Sequence, residues 1–357
     1  MDLNKFGKRK LIFRLSSLGD VILASSILKT LDPGQVIDWV ISSEFAELLE
    51  GHPRIGKLWR FDRREGLRSW LRLCREIWAE DYDEVFDLHK TLRTRIARVF
   101  LSFKFLSSST RVPLPRWRSI SKQRFRLLGF FTFKSIWPTS CRPDPWFKRF
   151  SECFGAGKAS SPDLSHLLGE SPLREVSDYY CVMPSSKWKS KEWSPEKYVD
   201  LIRRLKGMPV ILGSAQDQAS KLLVSLLQAN NIDCISGVGK WSLKEVGTVL
   251  AGSRALIGGD TGLAHLAEAV GTSVITLFGP TVPTMGWGPL RADSLSVGLP
   301  LWCRPCGKDG RNCFRPIQRY KCLSHLEVDS VVNVILSSNL ASKISPGRKR
   351  VSPPVGS

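Results

Sequence analysis

The feature that most constrains this chain is an alternation of short strand-like runs with helical patterns, joined by short loops and run through twice. In the first half Leu11–Leu15 is an apolar run of strand type. After Ser16-Ser17-Leu18-Gly19-Asp20, the apolar residues Val21, Ala24, Ile27, Leu28 and Leu31 recur at helical spacing until Asp32-Pro33-Gly34 stops them. Val36–Ile41, Leu58–Phe61 and Glu84–Leu88 predict further strands, while Phe45–Leu49, Leu67–Trp78 and Thr91–Phe105 predict helices. The second half repeats the pattern, with strands over 180–183, 209–212, 232–235, 255–257 and 273–278. Helices are expected over 195–205, 218–229, 243–251 and 263–270, the first with Ser194 as N-cap and Pro195 at its first position. Short loops between strand and helix imply parallel sheets wound in the Rossmann manner, so the fold class is α/β with two such domains facing a central cleft.

At roughly 100–200 residues per domain, 357 residues suit two domains. Gly155–Glu170 is rich in Gly, Ser and Pro and reads as their connection. The expected layout is a domain over 1–165, a second over 175–325, a C-terminal helix over 326–342 and a disordered basic tail over 343–357. No apolar run approaches the ~20 residues of a membrane span. The N-terminus has no apolar signal core, and nine cysteines without a signal read as reduced thiols.

Charge is distributed unevenly. The formal net charge is +20, and 15 Lys and Arg against Asp144 alone lie between Leu88 and Phe150, interleaved with twelve aromatics. Such a window suits a nucleic-acid surface or an anionic membrane interface, against the plainer reading of a solvated basic face on core helices.

Two strand-to-helix turns carry chemistry. Gly258-Gly259-Asp260-Thr261-Gly262-Leu263-Ala264-His265 places glycines where a strand ends and a helix begins. The N–H groups of Thr261, Gly262 and Leu263, with the positive helix end, suit a phosphate or diphosphate, and His265 adds a hydrogen bond. In the other half Ser16-Ser17-Leu18-Gly19-Asp20 offers a carboxylate kept ionised at a helix N-terminus, which suits a general base. Simple helix capping accounts equally well for either turn, and spacing alone leaves the choice open.

RLSSLGDVILASSILKTL near the N-terminus and GGDTGLAHLAEAVGTSVITLFGPT far downstream resemble glycosyltransferase family 9, the ADP-heptose:lipopolysaccharide heptosyltransferases. YDEVFDLHKTLRTR at 82–95, SSKWKSKEWSPEKY at 185–198 and GSAQD at 213–217 fit the same family, whereas 105–150 carries no pattern of it. The resemblance implies a GT-B fold, with the acceptor held by the N-terminal domain and the nucleotide sugar by the C-terminal one. It implies inverting transfer without a metal or other cofactor, with ADP-heptose as donor substrate and Asp20 as the base that deprotonates the acceptor hydroxyl. Lys191 then neutralises the donor phosphates, Asp260 contacts the transferred sugar, and Thr261, Gly262, Leu263 and His265 form the diphosphate loop. Ser185 and Ser186 line the same pocket. Asp217 stands nearest to the ribose position, since Ser214 and not an acid follows Gly213. Ser17, Gly19, Lys90 and Arg93 are the candidate acceptor contacts.

The implied partners are the nucleotide-sugar donor, the lipopolysaccharide core and lipid A, and an anionic membrane surface. The expected location is cytoplasmic, peripheral on the inner face of the cytoplasmic membrane. Nucleic acid is not the expected partner, because a phosphorylated glycolipid accounts for the basic, aromatic window. Another nucleotide sugar or glycan acceptor is the nearest alternative, and a catalytically idle basic protein that binds nucleic acid or membrane is the alternative from another class. Cys303, Cys306, Cys313 and Cys322 are close enough in sequence for a structural Zn²⁺, although their spacing departs from paired CxxC motifs, and free thiols are the larger expectation.

Overall fold

The computed structural model describes residues 9–107, 114–155 and 160–344. Two parallel sheets account for the alternation. The first contains β1 (Lys10–Phe13), β2 (Ile37–Ser42), β3 (Ile55–Phe61), β4 (Glu84–Asp87) and β5 (Arg116–Ser119), in the order β3-β2-β1-β4-β5. Its helices are α1 (Leu18–Ser25), α2 (Gly66–Ala79), α3 (Leu92–Ser107), α4 (Arg124–Phe133) and α5 (Trp146–Phe154). The second sheet contains β6 (Tyr179–Met183), β7 (Met208–Ile211), β8 (Ile235–Ser236), β9 (Leu256–Gly259), β10 (Val274–Leu277) and β11 (Leu295–Val297), in the order β11-β10-β9-β6-β7-β8. Around it lie α6 (Pro195–Arg203), α7 (Gln218–Ala229), α8 (Leu243–Gly252), α9 (Gly262–Ala269), α10 (Lys321–Ser324), α11 (Val328–Leu336) and α12 (Ala341–Ile344).

The central strands are buried on both faces, as helices on either side of a parallel sheet require. All residues of β2, β4, β6, β9 and β10 are buried. Local chemistry sets the helix starts. Ser194 accepts from the Lys197 N–H ahead of Pro195 in α6, and Ser242 and Glu245 cap α8 reciprocally. Both sheets reverse their winding at one point, between β1 and β4 and between β6 and β9. Ligands of such sheets bind outside the carboxyl ends of the strands at that reversal.

The lobes meet at the N-termini of α1 and α9. A Cβ on Gly19 would stand 2.9 Å from Cδ2 of His265, and one on Gly262 would stand 2.7 Å from the Leu18 side chain. Hydrogen atoms in place of side chains therefore let the two helix starts touch. The expected connection after 155 is no solvated spacer. Residues 156–159 lie outside the described residues, but Leu164 and Leu167 beyond them are buried and the Leu164 N–H donates to the Ala269 carbonyl at 2.9 Å.

Two strands and three helices, α4, α5 and the four-residue α10, escape the sequence pattern. β5 and β11 are edge strands of four and three residues, half-exposed and therefore without a full apolar period. Helices α4 and α5 lie in the basic window, where charges interrupt the apolar spacing. The helix expected over 326–342 is α11, whose Val328, Val331 and Ile335 pack into the core of the second sheet, followed by the short α12. Of the tail over 343–357, Lys343 and Ile344 close α12 and the remainder lies outside the described residues.

The β6–β9 contact is tight enough to test. A Cβ on Gly258 would stand 2.7 Å from the Met183 carbonyl oxygen, a backbone atom of the neighbouring strand. Gly258→Val should therefore lower the unfolding free energy by roughly 1–3 kcal/mol, read as a reduced midpoint in denaturant at unchanged slope.

Candidate active site

Asp20 occupies the third position of α1, with Ser17 as N-cap. Ser17 Oγ donates to Asp20 Oδ2 at 3.0 Å, and the Ser17 N–H approaches the same oxygen at 3.4 Å. The cap and the carboxylate are thus one device. Arg14, which leaves the end of β1, reaches Asp20 Oδ2 with Nη2 at 2.5 Å and donates from Nη1 to the Leu88 carbonyl at 2.5 Å. The guanidinium is almost wholly buried, while 24% of the Asp20 side chain stays open to the cleft. Burial alone would raise the Asp20 pKa. The Arg14 charge and the Ser17 hydrogen bonds outweigh it, with Lys308 adding to them, and hold the carboxyl below its ordinary value. Asp20 is consequently ionised near neutral pH and free to accept a proton.

Across the cleft, Asp260 ends the turn after β9. Its Oδ2 accepts from Lys191 Nζ at 2.8 Å and from Thr281 Oγ1 at 2.8 Å. Both partners of the ion pair are largely buried, at 13% and 6% side-chain exposure. The first turn of α9 follows, with N–H groups that an α-helix leaves without intrahelical acceptors. His265 is buried in that turn. Burial pushes its imidazole pKa down, against the pull of Asp260, Glu268 and Asp20, and its ring packs on Gly19 of the facing helix.

These groups line two connected cavities. One, of about 420 Å³, is bounded by Asp20, Arg14, His89, Lys122, Trp146, Lys191, Asp260, His265 and Lys308. The other, of about 660 Å³, is more apolar, with Phe45, Met183, Trp241, Leu243 and Val246 in its wall. Ser17, Gly19, Lys191, Asp260, Thr261 and Gly262 belong to both. In the larger cavity Asp217 Oδ2 accepts from Ser185 Oγ at 2.7 Å and from the Ser214 N–H at 2.8 Å, and the Ser186 N–H donates to Glu192 at 3.0 Å.

Asp20, Ser17, Gly19, Ser185, Ser186, Lys191, Asp217, Asp260, Thr261, Gly262, Leu263 and His265 therefore converge on one cleft. Lys90 and Arg93 do not line it. Lys90 Nζ donates to the Ile120 carbonyl at 3.1 Å, and the Arg93 guanidinium lies over the Phe61 ring at 5.5 Å. In their place stand His89, from the same segment, and Lys122, whose Nζ donates to the Lys90 carbonyl at 2.6 Å. Burial first, and then Arg14, pushes the His89 pKa down to about 3, so its ring is neutral. Lys308, in the cysteine-rich stretch, also reaches this cavity. No sequence signal singles it out from the neighbouring cations. Cys303, Cys306, Cys313 and Cys322 are free thiols, and no cluster of three or more His, Cys, Asp or Glu among the described residues is placed to hold a metal ion.

The Arg14–Asp20 pair sets a pH dependence of definite sign. A depressed carboxylate pKa contributes stability that is complete above the ordinary carboxylate range and is lost as pH falls through the depressed value. Arg14→Gln removes the charge that depresses it. The Asp20 carboxyl should then titrate at higher pH, read by NMR of the side-chain carboxyl carbons.

The sequence profile described as Glycosyltransferase family 9 (heptosyltransferase) matches residues 155–313. Lipopolysaccharide heptosyltransferase 1 of Pseudomonas aeruginosa is 28% identical over 326 residues, covering 84% of this chain and 86% of that protein. Among solved structures, E. coli ADP-heptose lps heptosyltransferase II superposes with a TM-score of 0.67 at 17% identity, covering 92% of this chain and 98% of the other. The E. coli heptosyltransferase WaaC with ADP-2-deoxy-2-fluoro heptose gives 0.62 at 19% identity over the same shares. The two facing doubly wound sheets are accordingly a GT-B fold, and over residues 155–313 the chain is similar to glycosyltransferase family 9.

Proposed function

We propose that this glycosyltransferase moves a heptose from ADP-heptose to the inner core of lipopolysaccharide, with inversion and without a metal ion. The observation that carries the reading is the meeting of α1 and α9, which sets the Asp20 carboxylate and the first turn of α9 on the same 420 Å³ cavity. The named relatives supply the donor and acceptor classes, being lipopolysaccharide heptosyltransferases and an enzyme with an ADP-heptose analogue.

In this reading the lobe of 1–165 holds the acceptor and that of 175–325 the donor. The apolar cavity by Trp241 and Val246 receives the adenosine, with Asp217 and Ser185 beside the ribose. The diphosphate lies at the first turn of α9 and Lys191. Both contacts of Asp260 fall on Oδ2, which leaves Oδ1 for a hydroxyl of the sugar. Asp20 takes the proton of the acceptor hydroxyl as its oxygen attacks the anomeric carbon. The bond from that carbon to the diphosphate oxygen breaks, and ADP departs with the electron pair. The developing charge meets Lys191 and the helix N-terminus, groups fixed before reaction and able to stabilise it without a divalent cation. Ser17 and Arg14 hold the base in place, and neutral His89 and Lys122 face the acceptor.

The basic window supports a peripheral position on the inner face of the cytoplasmic membrane. No helix among the described residues is long and apolar enough to cross a membrane. Not all of the window's charge is at the surface. Arg149 is 1% exposed and lies over the Trp146 ring at 4.5 Å, Arg126 pairs with Asp144 at 3.1 Å, and Lys122 lines the cleft. The outward cations are fewer than the composition suggests.

Asp20→Asn should lower kcat by about 10²-fold or more while leaving ADP affinity nearly unchanged, checked by single-turnover kinetics and calorimetry. Lys191→Ala should weaken ADP binding, slow transfer, or both. Incubation with a panel of nucleotide sugars and deacylated core acceptors, read by mass spectrometry, should yield a heptosylated product from ADP-heptose. Product from another nucleotide sugar alone would replace this donor assignment.

A further inference from the structure

Outside the cleft, strongly exposed apolar side chains gather on each lobe, apart from Leu92 of α3, which is 71% exposed by itself. On the N-terminal lobe Phe125 is 90% exposed, Leu128 64% and Ile136 78%. Phe125 and Leu128 are three apart on α4, hence on one helix face, while Phe130 of the opposite face is buried. On the C-terminal lobe Trp302 is 72% exposed, Phe314 71% and Ile317 76%, all in the irregular stretch between β11 and α10. Exposure of this size marks a surface that meets something.

A direct contact makes the two groups neighbours. Lys134, which ends α4, donates from Nζ to the Cys303 carbonyl at 2.7 Å and to the Pro305 carbonyl at 3.1 Å. Ile136 thus stands beside the same clasp as Trp302. Both groups are set among cations. Residues 114–143 contain seven Lys and Arg and no acid, and residues 299–325 contain six against Asp309 alone. The same stretch carries Lys308 to the cavity that holds Asp20.

We propose that the α4 face and the 302–320 stretch form one docking surface for an anionic phospholipid bilayer, spanning both lobes and joined by Lys134. The inference rests on the peripheral membrane position proposed above and adds that the donor-binding lobe itself inserts. Charge complementarity selects the occupant. Large apolar tips that protrude from a surface richer in cations than in acids match an interface of acyl chains beneath anionic headgroups, whereas a second copy of this chain would bring the same positive charge against it. Two weak contacts on a rigid pair of lobes act together, so removal of either should cost most of the binding.

The experiment is flotation of the full chain with phosphatidylcholine vesicles, with and without phosphatidylglycerol. The wild type should float with the anionic vesicles only. Phe125→Ser/Leu128→Ser and Trp302→Ser/Phe314→Ser/Ile317→Ser should each weaken partition by about tenfold or more. Unchanged ADP affinity in both variants would show that they are folded, since none of these residues lines the cleft. Wild-type binding that only the α4 variant loses would overturn the two-lobed surface and leave the membrane position standing. Absence of wild-type binding would overturn both. A change in sedimentation mass in the C-terminal variant, without loss of flotation, would make this surface a contact between copies and overturn the inference.

Discussion

The site depends on how closely two helix starts approach each other. Gly19 lets α1 rest on the His265 ring, and Gly262 lets α9 rest on Leu18. Every group with a chemical task hangs from one side or the other of that contact. Asp20 is one residue beyond Gly19, and α9, the helix proposed to receive the diphosphate, begins at Gly262. A methyl group at Gly19 would press on the His265 ring and one at Gly262 on the Leu18 side chain, so either would strain the contact between the two helix starts. The glycines are thus needed less for backbone freedom than for the distance between the sheets.

A second level of organisation lies in the side chains that fix the reactive ones. Arg14 joins β1 to the turn after β4 through the Leu88 carbonyl while it holds Asp20. Asp217 does the same for the loops after β6 and β7 by accepting from Ser185 and Ser214. Arg14 thereby ties the winding reversal of the first sheet together, while Asp217 links two neighbouring strand ends on one side of the second sheet's reversal, and the surface there inherits that rigidity.

Much of this was legible in the residues because periodicity and turn chemistry agree in the central strands. The helix over 218–229 is found at the bounds its apolar spacing gives, and the capped start at Ser194 is found as expected. The edge strands β5 and β11 were not legible, since half-exposed strands of four and three residues carry no apolar period. The site divides along similar lines. Asp20, Lys191 and Asp260 sit in turns that local sequence marks out. The pairing of Lys191 with Asp260 spans 69 residues and Arg14 with Leu88 spans 74, contacts that no local pattern encodes. Lys90 and Arg93 are not among the residues brought to the cleft. Their charge and segment pointed to the cleft, but a carbonyl and an aromatic face close at hand hold them away from it.

The Lys191–Asp260 pair has a consequence for how an anion enters. The ammonium is not bare before ligand arrives, because a carboxylate 2.8 Å away already serves as its counter-ion. An incoming phosphate exchanges one anion for another, so the gain is the difference between two pairings and not the full attraction of a naked cation. Discrimination follows from that difference. A singly charged or poorly oriented anion offers Lys191 little that Asp260 does not, whereas a diphosphate that also reaches the α9 N-terminus accepts from a second set of donors. Once a bound anion departs, the carboxylate is at hand to take the ammonium back, and the pair returns to its resting arrangement.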